Sequence, residues 1–238
     1  MGLILTAKDI VDVAAGGVGL GASDKQIKVA TLKHWLWGFG NYLILNCPFE
    51  FLDHNVGYGT ANSAAGATRF ALPTNLNRFI SLWTGDDTGI EYYDEERQHK
   101  EMVAHLKFSA ENPSTPLYTY MKMGCDWCYY TPKSASAEVD FYKFLYLTKM
   151  RDVIAEGDPV VGDTDCVPGA CLPIYIDMIR AIVAAMTQRP NEVALYVSTA
   201  ASGMRNLHVM AGLLPPGAGA TPWEQAIYRM IPGQAQTQ

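Results

Sequence analysis

The sequence contains few charged residues, and basic residues are the scarcer kind. Only 18% of its 238 residues are charged, and 18 Lys and Arg stand against 24 Asp and Glu, for a net charge of −6. Sequence-independent binding to nucleic acid needs Lys and Arg to neutralise phosphates, so this balance argues against it. The balance still allows a surface that DNA passes without being held. The low charge fraction fits either a surface covered by partners or a well-buried monomer.

The sequence also shows no signal peptide and no membrane-spanning segment. The apolar run at residues 3–5 is too short for the core of a signal peptide, and no basic segment precedes it. The most apolar stretch, residues 172–186, is interrupted by Asp177 and Arg180. We therefore expect a protein that is made in the cytoplasm and has no membrane partner.

The cysteines are odd in number, so they do not form the pattern of a disulfide framework. They are Cys47, Cys125, Cys128, Cys166 and Cys171. Cys125, Cys128, Cys166 and Cys171 supply the four thiolates of a zinc site, but the CDWC motif lacks a turn-forming glycine. A redox CxxC motif needs a helix N-terminus, which this context does not predict. Buried thiols are the favoured interpretation, and a small zinc-binding or redox protein stays as the alternative.

Catalytic motifs are absent too. The GGVGLG segment follows a predicted helix instead of a strand and lacks the Lys of a phosphate loop. The carboxylates at residues 94–96 are followed by interleaved basic residues, which is typical of a solvated helix face, predicted here over residues 94–107. No nucleophile or metalloprotease motif is present in the sequence. We expect no enzyme, no cofactor and no bound metal.

What the sequence does contain is a helical beginning and end around a strand-rich middle. A first short helix is expected over residues 3–14. A Ser23-Asp24-Lys25-Gln26 capping box then predicts a second helix, which runs to about Asn46 before Pro48. Further helices are expected from Leu172 to about residue 188 and over residues 191–204. The middle predicts strands near 53–58, 67–71, 78–83, 88–93, 116–122, 126–131 and 138–148, with a turn over 59–66.

These elements predict an α+β fold. We expect a helical bundle built from the N- and C-terminal helices, an inserted antiparallel β-sheet or barrel module, and an extended C-terminal tail. The expected divisions are 1–48 for the first bundle helices, 49–148 for the β module, 149–211 for a loop and the remaining bundle helices, and 212–238 for the tail.

The core of the β module is predicted around a Leu-Pro pair between two short apolar runs. Pro73 has no N–H to donate, so it suits the end of a strand, where a ladder stops. The predicted core residues of this module are Phe70, Leu72, Pro73, Phe79, Ile80 and Leu82. In the long strand at 138–148, a period of two interleaves the apolar Val139, Phe141 and Phe144-Leu145 with the polar Asp140 and Lys143.

The tail after residue 212 is rich in Pro, Gly and Ala and has one apolar insert, residues 223–231. A segment of this kind with an aromatic anchor usually docks on a partner. We predict a docking segment that becomes ordered on assembly, formed by Trp223, Ile227, Tyr228, Met230 and Ile231.

The order of these segments resembles the head-to-tail connector adaptor proteins of tailed bacteriophages, the group that includes tail tubular protein A. The matching pieces are TRFALPTNLNRFISLW, TPLYTYMKMGCDWCYYTP and CLPIYIDMIRAIVAAMTQRPNEVALYV. Within these three segments the matched ranges are Phe70–Trp83, Thr115–Pro132, Leu172–Ala185 and Pro190–Tyr196, the last two both in the third segment. The order and spacing of the pieces carry the resemblance, over residues 24–205.

The resemblance implies a structural protein of the virion neck, made in the cytoplasm of a bacterial host. Such a protein forms a homo-oligomeric ring, a dodecamer, beneath the portal protein and links the capsid to the tail. Tail tube or nozzle proteins bind below it, and DNA passes through during ejection without specific binding. A related neck role, as a head-closure or tail-completion protein, remains open.

Overall fold

The structure is a computed structural model that describes residues 4–19, 27–52, 54–65, 69–84, 91–92, 120–123, 127–131, 137–215 and 222–231. These residues form an α+β fold with five α-helices and nine β-strands. The helices are α1 Ala7–Gly17, α2 Val29–Asn46, α3 Leu172–Met186, α4 Pro190–Met210 and α5 Pro222–Met230. The strands are β1 Leu5–Thr6, β2 Val56–Ser63, β3 Arg69–Ala71, β4 Leu76–Thr84, β5 Glu91–Tyr92, β6 Tyr120–Met123, β7 Trp127–Thr131, β8 Glu138–Thr148 and β9 Pro159–Val161.

The chain divides into two compact units. One contains Met1–Asn55 together with Lys149–Gln238, and the other contains Val56–Thr148. We call them the helical unit and the β unit. The sequence suggested divisions after residues 48 and 148, and the units divide after residues 55 and 148. The chain therefore leaves the helical unit once, forms the β unit, and returns.

Helix α1 begins at a capping box that the sequence analysis did not identify. The Thr6 hydroxyl accepts from the Asp9 N–H at 3.3 Å, and the Asp9 carboxylate accepts from the Thr6 N–H at 2.9 Å. This reciprocal pair satisfies two donors that a helix start leaves free. The Thr6 hydroxyl also donates to the Asp9 carboxylate at 2.7 Å, and this bond together with the one from the Thr6 N–H holds the pKa of the Asp9 carboxyl below its usual value.

Helix α2 begins later than the sequence predicts. The capping box at Ser23 lies outside the described residues, but residues 27 and 28 are not helical, and Lys28 is extended at the N-cap. A start at Ser23 is therefore wrong. The first helical residue, Val29, is also buried, which indicates that packing fixes this helix start more than local capping does. The helix ends at Asn46, as the sequence predicts.

Helix α3 is the centre of the helical unit, where it contacts α1, α2 and α4. Tyr175 is fully buried on it and donates its hydroxyl to the Leu36 carbonyl of α2 at 2.9 Å. The two charges that interrupt this apolar helix pair with each other, Arg180 with Asp177 at 3.0 Å. Residues 169–186 are long and apolar enough to cross a membrane, with a mean hydropathy of 1.6, but 56% of this window is buried within the protein. A core helix passes the same test.

The described residues of the β unit form two sheets. Strands β2, β8 and β4 form an antiparallel sheet in that order, and β3, β7, β6 and β5 form the second, in which only the β5–β6 pair is parallel. Phe70 on β3 stacks on Tyr142 and Phe144 of β8, with ring centroids 5.0 and 5.8 Å apart. One aromatic side chain therefore packs the two sheets against each other.

Leu72-Pro73 lies where the chain passes from one sheet to the other. Strand β3 pairs with β7 and the following β4 pairs with β8. The missing N–H of Pro73 stops the first ladder, and its carbonyl accepts from the Leu76 N–H at 3.0 Å to close the turn. The sequence predicts that Pro73 lies at the end of a strand. The structure adds that the chain changes from one sheet to the other at this proline.

The aromatic core of the β unit includes part of the predicted set. Phe70 and Phe79 are buried in it, and Leu72 packs against it half-buried. Pro73 is half-buried at the turn, and the side chain of Leu82 is outside the described set. Ile80 is 38% exposed, so its predicted place in the core is wrong. It lies between Phe79 and Ser81, where the register of the β4–β8 pairing shifts and Ile80 has no partner on β8.

The apolar pattern predicted for strand β8 is confirmed at Phe144 and wrong at Val139. Tyr142, Phe144 and Tyr146 are buried, whereas Val139 is 80% exposed. Side chains alternate along a strand, so the pattern that buries Tyr142, Phe144 and Tyr146 already assigns Val139 to the other face. The pairing with β2 is also irregular here, since the register shifts between Ala61 and Ser63 and Asp140 takes a φ of 52°. The surface helix predicted at 94–107 lies outside the described residues.

The predicted turn at residues 59–66 is wrong for its first half, because Gly59 to Ser63 belong to β2. Gly57 and Gly59 stand opposite Tyr146 and Phe144 in the β2–β8 register. A Cβ on either glycine would collide with the facing ring. These glycines therefore make room for aromatic side chains within a strand.

Replacing Gly59 with Ala should destabilise the β unit by about 1–3 kcal/mol, because the new methyl overlaps the Phe144 ring. Urea denaturation followed by circular dichroism would measure it. The matched control is Gly38→Ala in α2, where an added Cβ meets nothing within 4 Å; there we expect a gain of about 0.5–1 kcal/mol. An unchanged midpoint for Gly59→Ala would contradict the packing role of this glycine.

Candidate functional site

The apolar insert of the C-terminal region is a helix that packs on its own chain. Helix α5, Pro222–Met230, contacts α4 in the helical unit. Ile227 and Ile231 are both buried, with 0% and 2% of their surface exposed. They are four residues apart and therefore lie on one side of the segment. The expected extended form is thus wrong for residues 222–230, because these isoleucines already have a partner surface within the chain.

The remaining predicted docking residues differ in exposure. Tyr228 is 38% exposed and Met230 is half-buried. The side chain of Trp223 is outside the described set. Ile227 and Ile231 therefore anchor the helix, and Tyr228 with Met230 are the described members of the predicted set that a partner can reach.

Helix α4 ends next to this segment with further exposed apolar side chains. Met210 is 68% exposed and Leu213 is 58% exposed. The turn that carries them is fixed, since Gly212 adopts a φ of 70° and the Leu213 N–H donates to the His208 carbonyl at 2.9 Å. Single exposed apolar residues are common on protein surfaces. Here they lie in the turn that ends α4, and together with the exposed side chains of α5 they make this C-terminal segment (residues 210–215 and 222–231) the candidate docking surface.

A cavity of about 300 Å³ lies in the helical unit between the segment after α2 and the loop before α3. His54, Glu50 and Asp163 are its ionisable lining residues. The Asp163 carboxylate lies 3.3 Å from the Arg151 guanidinium. No group of three His, Cys, Asp or Glu that could hold a metal exists among the residues that the structure describes. We assign no reaction to this cavity.

Two of the four cysteines in the zinc hypothesis are buried in the helical unit with other partners. The Cys166 thiol lies 3.1 Å from the Pro159 carbonyl and can donate to it, and burial raises the pKa of this thiol to about 11. Cys171 lies beside Cys47, which the zinc hypothesis left out. Their burial is what the favoured interpretation of small apolar side chains expects.

The CDWC motif leads into a strand. Cys128 lies in β7 of the β unit, and its side chain and Cys125 are outside the described set. A thioredoxin-like redox site places this motif at a helix N-terminus, so the strand argues against that alternative.

Sequence reasoning missed the meeting of Cys47 with Cys171. The available signal was that Cys47 precedes a helix-ending proline and Cys171 precedes the predicted start of α3. Cysteine pairing cannot be deduced from positions alone, so only the fold brings these two residues together.

No known protein family matches this chain, and no curated protein is significantly similar to it.

Proposed function

We propose that the protein is a structural component of a bacteriophage neck: a head-to-tail adaptor that forms a ring beneath the portal. In this role it links the capsid to the tail and lines the channel through which DNA leaves. The observation that carries the proposal is the order and spacing of segments over residues 24–205, which resembles the adaptor family.

The division of the chain supports this role. A ring subunit must contact neighbours beside it and different proteins above and below it, and two compact units offer distinct surfaces for those contacts. The finer arrangement that we propose is a helical bundle with a β module inserted between its second and third helices. It agrees with the contacts of α3 to three helices and with the single excursion of the chain into the β unit.

The charge supports the same role. A ring that DNA traverses must not retain it, and a net charge of −6 disfavours retention. A dodecamer would multiply this charge around a common axis. The exposed apolar side chains Met210, Leu213 and Tyr228 suit protein contacts, since the cores of such interfaces are depleted of charge.

A head-closure or tail-completion role in the same neck is the second candidate. It shares the ring assembly and the passage of DNA but not direct contact with the portal. Binding to the portal protein therefore separates the two roles.

Native mass spectrometry of the full chain, alone and mixed with the portal protein encoded in the same genome, tests the proposal. We expect a complex in which many copies of this chain bind one portal ring. Tyr228→Ala should weaken that complex about 10-fold or more if this exposed aromatic is an interface anchor. Val139→Ala, at an exposed site of the β unit, is the matched control and should leave binding unchanged.

Two outcomes would contradict this proposal. If the chain binds a tail-completion partner but not the portal ring, the head-closure or tail-completion role would replace the adaptor role. A chain that binds stoichiometric zinc and ignores the portal would support the metal-binding alternative.

A further inference from the structure

Two cysteines from distant parts of the sequence meet in the core of the helical unit. Cys47 is the residue after α2, and Cys171 is the residue before α3. Their sulfur atoms are 3.2 Å apart. A disulfide holds its two sulfurs about 2.05 Å apart, so the bond requires an approach of roughly 1 Å.

We propose that Cys47 and Cys171 are an oxidation site, where a hydroperoxide converts the two thiols into an intramolecular disulfide. The site is independent of the proposed neck function. In a reducing cytosol the pair stays as thiols, and it becomes cross-linked when the folded protein meets the oxidant.

The chemistry balances in two steps. A hydroperoxide such as H₂O₂ oxidises the Cys47 thiol to a sulfenic acid and is itself reduced, and one water leaves. The Cys171 sulfur then attacks the sulfenic sulfur, the new S–S bond forms, and the S–OH bond breaks to release a second water. Two electrons pass from the two thiols to the peroxide.

The surroundings assign different roles to the two residues. Cys47 is 7% exposed, whereas Cys171 is 0% exposed, so the oxidant reaches Cys47 first. The hydrogen bond to Cys47 and burial raise the pKa of the Cys171 thiol, and Cys171 therefore keeps its proton until its partner has been oxidised. Since thiolates are the reactive form, we expect a slow reaction that needs excess oxidant.

Cys166 is the natural comparison, because it is buried in the same unit but has a carbonyl beside its thiol. Its sulfur lies 3.1 Å from the Pro159 oxygen. Two thiols in contact can resolve a sulfenic acid, whereas a thiol beside a carbonyl cannot.

The bond would close a long loop. Residues 48–170, including the whole β unit, lie between the two cysteines in the chain. Cross-links that close long loops constrain the unfolded chain most, although native-state strain reduces the gain. We expect oxidation to raise the midpoint of thermal unfolding of the helical unit by roughly 5–15 °C.

The test uses the full chain with Cys125 and Cys128 both changed to Ser, so that the CDWC motif cannot react. After treatment with H₂O₂, the intact mass should fall by two hydrogen atoms. Peptide mapping without reductant should find the Cys47 and Cys171 peptides joined. A thiol reductant should reverse both the mass change and the shift in the unfolding midpoint.

Single variants complete the test. Cys171→Ala should abolish the cross-link, and Cys166→Ala should leave it intact; the latter also shows whether a buried Cys-to-Ala change is tolerated. Peroxide that adds oxygen to Cys47 without joining it to Cys171 would overturn the proposal. So would a cross-link between Cys166 and either member of the pair. The mapping of the parent chain needs no variant at this site, so it decides the question even if Cys171→Ala does not fold.

Discussion

Replacing Phe144 with Ala should destabilise the β unit by about 3–5 kcal/mol, which is the usual cost of removing a buried aromatic side chain. Phe144 is fully buried, and its ring lies 5.8, 5.3 and 5.9 Å from the rings of Phe70, Phe79 and Tyr146. The substitution removes all three of these ring contacts and leaves a cavity where the two sheets meet.

Hydrogen exchange resolved by peptide is the suitable measurement, because it reports on strand β8 itself. Amides of β8 should exchange about 100-fold faster or more, since each 1.4 kcal/mol corresponds to a factor of ten. Val139→Ala on the same strand is the matched control. Its side chain is 80% exposed, and we expect a change within about 0.5 kcal/mol. Equal exchange in both variants would mean that Phe144 does not hold the sheets together.

The sequence predicts the types of element in the described part of the chain far better than their packing. Helices α1 to α4 and strands β2 to β8 each have a counterpart among the predictions, because apolar periodicity and turn residues are local signals. Strands β1 and β9 do not: Leu5–Thr6 falls in the helix predicted over residues 3–14, and Pro159–Val161 falls in the predicted loop. The start of α2 was misplaced because Ser23 has the local chemistry of a cap, whereas the helix begins where Val29 becomes buried.

Other features depend on contacts between distant residues. The sequence predicts Gly59 as part of a turn, since a glycine facing an aromatic ring is recognisable only when the β2–β8 register is known. The pairing irregularity at Asp140 has no simple sequence signature. The Cys47–Cys171 contact joins positions 124 residues apart. The candidate docking surface was predicted as a segment, but the division of its residues into buried anchors and exposed ones needed the fold.

That division changes how the C-terminal segment should be tested. Deleting residues 212–238 removes the exposed Tyr228, but it also uncovers the face of α4 that α5 covers. A loss of portal binding after this deletion could come from either effect. Substitutions that separate the anchor from the exposed face are therefore more informative.

Ile227→Ala should release α5 from α4. Ile227 is 0% exposed, and truncating a buried isoleucine costs about 2–5 kcal/mol. Helix α5 has nine residues, too few for an isolated helix to be stable in water, so most of that cost should appear as undocking and unfolding of this one helix. The undocked population should rise roughly 30-fold or more, since 1.4 kcal/mol corresponds to a factor of ten.

Limited trypsin digestion measures this population, because Arg229 lies within α5 and is cut only when the helix opens. When reclosing is faster than cleavage, the rate of cutting after Arg229 follows the open fraction. We expect at least about a 30-fold increase for Ile227→Ala and a change within about threefold for Tyr228→Ala, whose side chain is 38% exposed. Equal rates in the two variants would show that Ile227 does not anchor α5. If the rates differ as expected and only Tyr228→Ala binds the portal more weakly while α5 stays docked, then the exposed face of α5 makes the contact and the buried face positions it.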